Sequence, residues 1–150
     1  MAAISAINNG EAMSSVRSKL NNVITEINLL DPTDWIDYSA TSTIVGWSSF
    51  TTKIIRYRVI GKQIFVQFQL DGTSNSTSLT FTLPSNILTP MYNNCYAVDN
   101  GVANVGMCIN FSGGTNVITG YRFNTATSLT STWTASGTKT YKGQFFYEIA

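Results

Sequence analysis

Ile54-Ile55-Arg56-Tyr57-Arg58-Val59-Ile60-Gly61-Lys62-Gln63-Ile64-Phe65-Val66-Gln67-Phe68-Gln69-Leu70 carries the main fold signal of this 150-residue chain. Ile55, Tyr57 and Val59 alternate with Ile54, Arg56 and Arg58, and then Ile64, Val66, Phe68 and Leu70 alternate with Phe65, Gln67 and Gln69. A period of two places alternate side chains on opposite faces of an extended chain, so both runs read as half-buried strands. Gly61-Lys62 fits a two-residue hairpin turn, with glycine where φ must be positive. That turn sets Ile60 against Gln63, and Val59, Tyr57 and Ile55 against Ile64, Val66 and Phe68. The apolar sets then share one face, whereas a slip of one residue would split them. The other face carries Arg56 opposite Gln67 and Arg58 opposite Phe65, polar with one aromatic.

Downstream the same reading repeats. Gly72-Thr73-Ser74-Asn75-Ser76 is a loop, and Leu79, Phe81 and Leu83 alternate in a strand closed by Pro84. Asp99-Asn100-Gly101 is a strong hairpin signal between a strand near Cys95–Val98 and one from Val102 to Phe111. It sets Cys95 against Gly106, not Cys108, so the two cysteines are expected to be reduced thiols; neither lies in a CxxC pair. Gly113-Gly114 turns into Val117–Phe123, and a last strand after Gly143 holds Phe145, Tyr147 and Ile149. Six to eight short strands joined by tight turns must run antiparallel, and the expected body is a jelly-roll-like β-sandwich over residues 53–150.

Upstream the periodicity changes. Met13, Val16, Leu20, Val23, Ile27 and Leu30 are spaced 3, 4, 3, 4 and 3 apart, an a/d heptad stripe, with Ile24 the one apolar residue off it. Such a narrow seam packs knobs into holes, where a helix lying on a globular core shows a wider apolar face. Asn8 and Glu11 have capping-box spacing, and Asp31-Pro32 stops the helix. Arg17 and Lys19 flank the seam at e and g, placed to pair with Glu11 or Glu26 of a neighbour. Eighteen residues make a helix about 27 Å long, marginal alone in water. Its partner is either the chain's own β body or further copies of itself.

Composition narrows the function classes. A third of the residues are Ser, Thr or Asn, 11% are charged and the net charge is +1, with the nine basic residues scattered. That gives no cationic face for nucleic acid. With 43% hydrophobic and 12% aromatic residues the chain has the material for a packed core. Histidine is absent, which removes the commonest general base and zinc ligand. No catalytic residue, metal or cofactor is expected. No apolar run approaches the roughly 20 residues of a membrane span, and Met1–Asn8 lacks the basic and apolar regions of a signal peptide. Synthesis in the cytoplasm without membrane insertion is the expectation.

Short motifs add a resemblance. Asn9-Gly10-Glu11 followed by Val16-Arg17-Ser18-Lys19-Leu20-Asn21 looks like a segment near the start of many bacteriophage virion proteins. Gly46-Trp47, Tyr57 to Gly61-Lys62, Gly72-Thr73-Ser74-Asn75, Phe81-Thr82-Leu83-Pro84 and Gly143-Gln144-Phe145-Phe146-Tyr147 resemble, in this order, the β domains of phage head and tail fibre proteins. The resemblance implies a homotrimeric, non-enzymatic virion protein, a short fibre or decoration knob assembled in the host cytoplasm. It implies a helical bundle at 9–30, a connector at 31–52 and the β-sandwich knob at 53–150. Residues 1–8, with Ile4 and Ile7, would dock the knob on other capsid or tail proteins. The knob would aid attachment to host-surface glycans; the alternatives are a capsid- or tail-stabilising module without a ligand and a carbohydrate-active enzyme.

Aromatic faces pack against the C–H surface of sugars, which makes Trp35, Trp47, Trp133, Tyr92, Tyr96, Tyr121 and Tyr141 the pool of stacking candidates. Trp133 leads, with Tyr141 beside it, because Trp133 sits in a Thr/Ser-rich stretch that reads as a strand edge or loop. Core or intersubunit packing is the ordinary fate of such rings. Asp31, Asp34 and Asp37 lie three apart, yet lack the glycine turn and closing glutamate of a calcium loop and read as solvated connector carboxylates.

Overall fold

The computed structural model describes residues 10, 12–30, 34–125, 128–130 and 132–149, with the side chains of 26–30 and 124–130 outside that description. One helix, α1 (Met13–Leu30), precedes a single antiparallel sheet. Its strands are β1 (Ile36–Asp37), β2 (Ile44–Val45), β3 (Trp47–Ile60), β4 (Gln63–Ser74), β5 (Thr80–Thr82), β6 (Met91–Asp99), β7 (Val102–Asn110), β8 (Val117–Thr125), β9 (Ser128–Thr130) and β10 (Thr138–Glu148). The hydrogen-bonded order is β1-β3-β4-β10-β6-β7-β8-β5-β2, with β9 on β8.

The register follows the expected hairpins. Ile60 pairs with Gln63 and Ile55 with Phe68, and Gly61 has φ of 59°. Asp99 pairs with Val102 and Cys95 with Gly106, across a turn with φ of 48° at Asn100 and 81° at Gly101. Both cysteines are free. Two things differ from the sequence reading. The described residues form ten strands, because β1, β2 and β9 are too short to show a period. The segment 34–52 is part of the sheet and not a connector: it holds β1, β2 and the first part of β3, and Tyr38, Ile44, Trp47 and Phe50 pack on the core. The last strand lies between β4 and β6, far from its neighbours in sequence.

The sheet is curled. Phe68 of β4 and Phe81 of β5 are far apart in strand order, yet their rings stand 5.1 Å apart, so the two halves of the sheet face each other across the core. Only Gly46 separates β2, at one end of the strand order, from β3, next to the other end. This residue has φ of 116°, and a Cβ there would stand 2.7 Å from the Ser78 carbonyl oxygen, so the crossing demands glycine. The core gathers the inward sets: Ile55 from β3; Ile64, Val66, Phe68 and Leu70 from β4; Tyr141, Phe145 and Tyr147 from β10; and Leu79, Phe81 and Leu83 from the β5 segment. No described residue of α1 joins that cluster. No helix among the described residues is long and apolar enough to cross a membrane.

Candidate functional site

The outward residues of β3, β4 and β10 line up in cross-strand rows. Arg58, Phe65 and Phe146 form one row; Arg56, Gln67 and Gln144 the next; Ile54, Gln69 and Lys142 a third, continued by Tyr96 on β6. Cross-strand neighbours on one face lie about 4.5–5.5 Å apart, so these side chains form a continuous surface. Trp35 lies at its edge, just before β1, half in solvent at 37% exposure. The guanidinium carbons of Arg56 and Arg58 stand 5.1 and 5.2 Å from the centre of its ring. Arg58 also lies 5.4 Å from the Phe65 ring, which packs 5.7 Å from Phe146. Arg56 Nε donates to Gln67 Oε1 at 2.8 Å, and Lys142 Nζ sits 4.9 Å over Tyr96.

Three adjoining hollows cover this surface. One of about 380 Å³ lies over Ile54, Arg56, Gln67, Gln69, Lys142 and Gln144. A second, about 360 Å³, lies between Trp35, Arg58, Phe65, Asn93, Gln144 and Phe146. A third, about 280 Å³, is bounded by Trp35, Asp37, Ser39, Lys53 and Arg56. These sizes suit small ligands or single units of a chain. Rings, planar cations and side-chain amides are the groups that hold a sugar by its C–H face and its hydroxyls. Asp37 is the one carboxylate among the described lining residues, and its acidity is raised by hydrogen bonds from Ser39, whose backbone N–H donates at 2.8 Å. Most glycoside hydrolases use two carboxylates across the bond they cut, and Asp37 is the one such group among the described residues that line these hollows.

The residues expected to stack on sugar are elsewhere. Trp133 is 1% exposed and Tyr141 is 0% exposed, with their rings edge to face at 5.7 Å, Trp133 Nε1 donating to the Gly120 carbonyl and Tyr141 Oη donating to Cys108 Sγ at 3.2 Å. Neither offers a face to solvent, so both leave the candidate set. The Thr/Ser-rich stretch around Trp133 reads as a strand edge or loop because its polar residues give no sign of the long-range packing of the ring. Trp47 is buried too, donating Nε1 to the Lys139 carbonyl. Trp35, in contrast, was in the pool but had no partners visible in the chain; its arginine neighbours are on β3, and only the β1–β3 pairing brings them together.

A second outward face is uncharged. On β6, β7 and β8 the rows are Tyr96–Val105–Phe123, Asn94–Met107–Tyr121 and Tyr92–Ile109–Thr119, with Ile109 itself fully buried and Tyr96 the border with Lys142. Phe111 packs edge to face between Tyr92 and Tyr121 at 6.1 and 5.6 Å. Tyr92, Val105 and Phe111 are more than half exposed.

The helix seam is open in the single chain. Met13 is 74% exposed and Leu20 48% exposed, while Val16 and Val23 are half-buried. Ile27 and Leu30 lie in the helix with side chains outside the description, and Ile4, Ile7, Asn8, Glu11 and Asp31 lie outside the described residues. Asp34 is exposed, and no group of three metal-ligating side chains occurs among the described residues. No protein-family model, no curated protein and no solved structure matches this chain.

Proposed function

We propose that the chain is a structural protein of a bacteriophage virion, a homotrimeric short fibre or decoration knob that helps the particle hold host-surface glycans. The α1 helices bundle through Met13, Val16, Leu20, Val23, Ile27 and Leu30, and each presents a curled, jelly-roll-like β body. The observation that carries this reading is the part-open seam: Met13 and Leu20 stand exposed and Val16 and Val23 half-buried on a helix that is marginal alone in water. The uncharged face of β6, β7 and β8 supports it, since apolar surface without charge suits burial against a second copy or another virion protein. The row of rings, guanidiniums and amides on β3, β4 and β10 is the surface left for the sugar.

Trimerisation gives weak sites strength, because three linked sites raise the effective concentration of the second and third contacts. An array of bacterial surface polysaccharides probed with the native chain and with Leu20→Asp tests both halves of the proposal. Native protein should bind at least one polysaccharide, and the seam variant should bind the same one about 100-fold more weakly. A chain that binds none of them supports the competing reading, a capsid- or tail-stabilising module with no ligand.

A further inference from the structure

On the outward face of β3, β4 and β10 the described cations make no close ion pair, although Asp37 is the cross-strand partner of Arg56 and Asp71 and Glu148 lie further along the same face. Among the described residues no carboxylate stands within ion-pair distance of Arg56, Arg58 or Lys142; the ion pair found there joins Arg122 and Asp99 on the inner side, at 3.1 Å. Two of the carboxylates on this face hold hydrogen bonds of their own and keep their charge. Asp37 accepts from Ser39, and Asp71 accepts from Gln69 Nε2 at 2.7 Å. Arg58 Nε is buried between the rings and has no hydrogen-bond acceptor. A guanidinium N–H taken out of water and left unpaired is costly, and buried polar groups without partners are rare in folded proteins. Arg56 donates both Nε and a terminal nitrogen to Gln67 Oε1 beside the Trp35 ring, which holds its guanidinium in place and leaves its remaining terminal N–H groups for a ligand. Fixed planar forks of this kind match carboxylate and phosphate oxygens and discriminate them from neutral hydroxyls.

We infer that this face binds an acidic polysaccharide, whose anionic group sits on Arg56 and Arg58 while the apolar faces of its sugars pack on Trp35, Phe65 and Phe146. The inference rests on the glycan-attachment reading above and adds the charge class of the ligand. Gln67, Gln69 and Gln144 supply donors and acceptors for hydroxyls along the row, and Lys142 attracts the next charged unit of the chain. The anion is a uronate carboxylate or a phosphodiester, two sources of the same chemistry.

The test is titration calorimetry of the full chain with three probes: an oligogalacturonate, the same oligomer with its carboxyls reduced to alcohols, and a glycerol phosphate oligomer. At least one acidic probe should bind about tenfold or more tightly than the neutral oligomer, a factor worth 1.4 kcal/mol, and affinity should fall as salt rises. Which acidic probe binds identifies the source of the anion. Arg58→Gln and Arg56→Gln should each lower the acidic affinity about tenfold and lower the affinity for the neutral oligomer by less, so that the acidic-to-neutral ratio falls. The probe comparison needs no variant, so it stands even if one misfolds. Equal affinity for acidic and neutral oligomers would overturn the inference while leaving glycan attachment in place. Binding of no acidic probe by a chain that does bind a neutral polysaccharide on the array would overturn it as well. Binding of no sugar anywhere sinks the attachment reading and the inference together.

Discussion

Lys139 faces the core from β10, fully buried, its ammonium 5.3 Å from the ring of Trp47 and 5.2 Å from that of Trp133. Nζ donates to the carbonyls of Gly46 and Ser76, both at 3.0 Å, and so ties the β2–β3 crossing to β10 and the loop before β5. Loss of water on burial pushes its pKa down to about 8, with the Asp99 carboxylate acting in the opposite sense. Below pH 8 both folded and unfolded chains carry this proton. Between about 8 and the ordinary 10.5 the unfolded chain holds more, so this residue's contribution to stability rises with pH across that window, by up to about 1.4 kcal/mol per unit. Tyr147, whose hydroxyl is shifted upward by burial, acts the other way above pH 10. Urea melts of the native chain and Lys139→Met from pH 7.5 to 9.5 isolate the lysine. The native-minus-variant stability should climb with pH, and a flat or falling difference contradicts this account. Gly72 offers a second residue-scale check. A Cβ there would run into the Ser49 carbonyl oxygen and stand 2.9 Å from the Phe50 Cα, beside the irregular pairing of β3, so Gly72→Ala should cost about 1–3 kcal/mol in the same melts. Neither role was readable beforehand: a lysine in an alternating strand reads as outward, and Gly72 reads as loop.

At the scale of elements, the hairpins were readable because turn chemistry and period two agree within a short stretch; β3–β4 and β6–β7 formed in the expected registers. The helix was readable from its alternating spacing of three and four, and α1 spans Met13–Leu30. What local pattern could not carry is which distant strand lies beside which. β10 completes the Arg56 row with Gln144 and the Arg58 row with Phe146, and its place between β4 and β6 follows only from closing the curled sheet. Half of the candidate site was therefore visible as the polar side of the first hairpin, and half was not. Two variants separate the elements. Trp35→Ala removes the ring that both guanidiniums share and should weaken binding of the best polysaccharide about tenfold with little change in melting, since Trp35 is outside the core cluster. Leu20→Asp should dissociate the chains and lower far-ultraviolet helical signal, because α1 alone is marginal, while the near-ultraviolet signal of the β body persists.

At the scale of the molecule, one chain leaves three surfaces in solvent: the seam of α1, the uncharged rows of β6, β7 and β8, and the cationic aromatic rows of β3, β4 and β10. In the proposed assembly the first two are covered by copies of the chain or by virion proteins, and the third faces the host. Everything about avidity and attachment depends on that division, and the division depends on the seam finding its own kind. Sedimentation equilibrium of the full chain at micromolar concentration measures this directly. The account predicts a species of three times 16.4 kDa, and a single species of 16.4 kDa would contradict it.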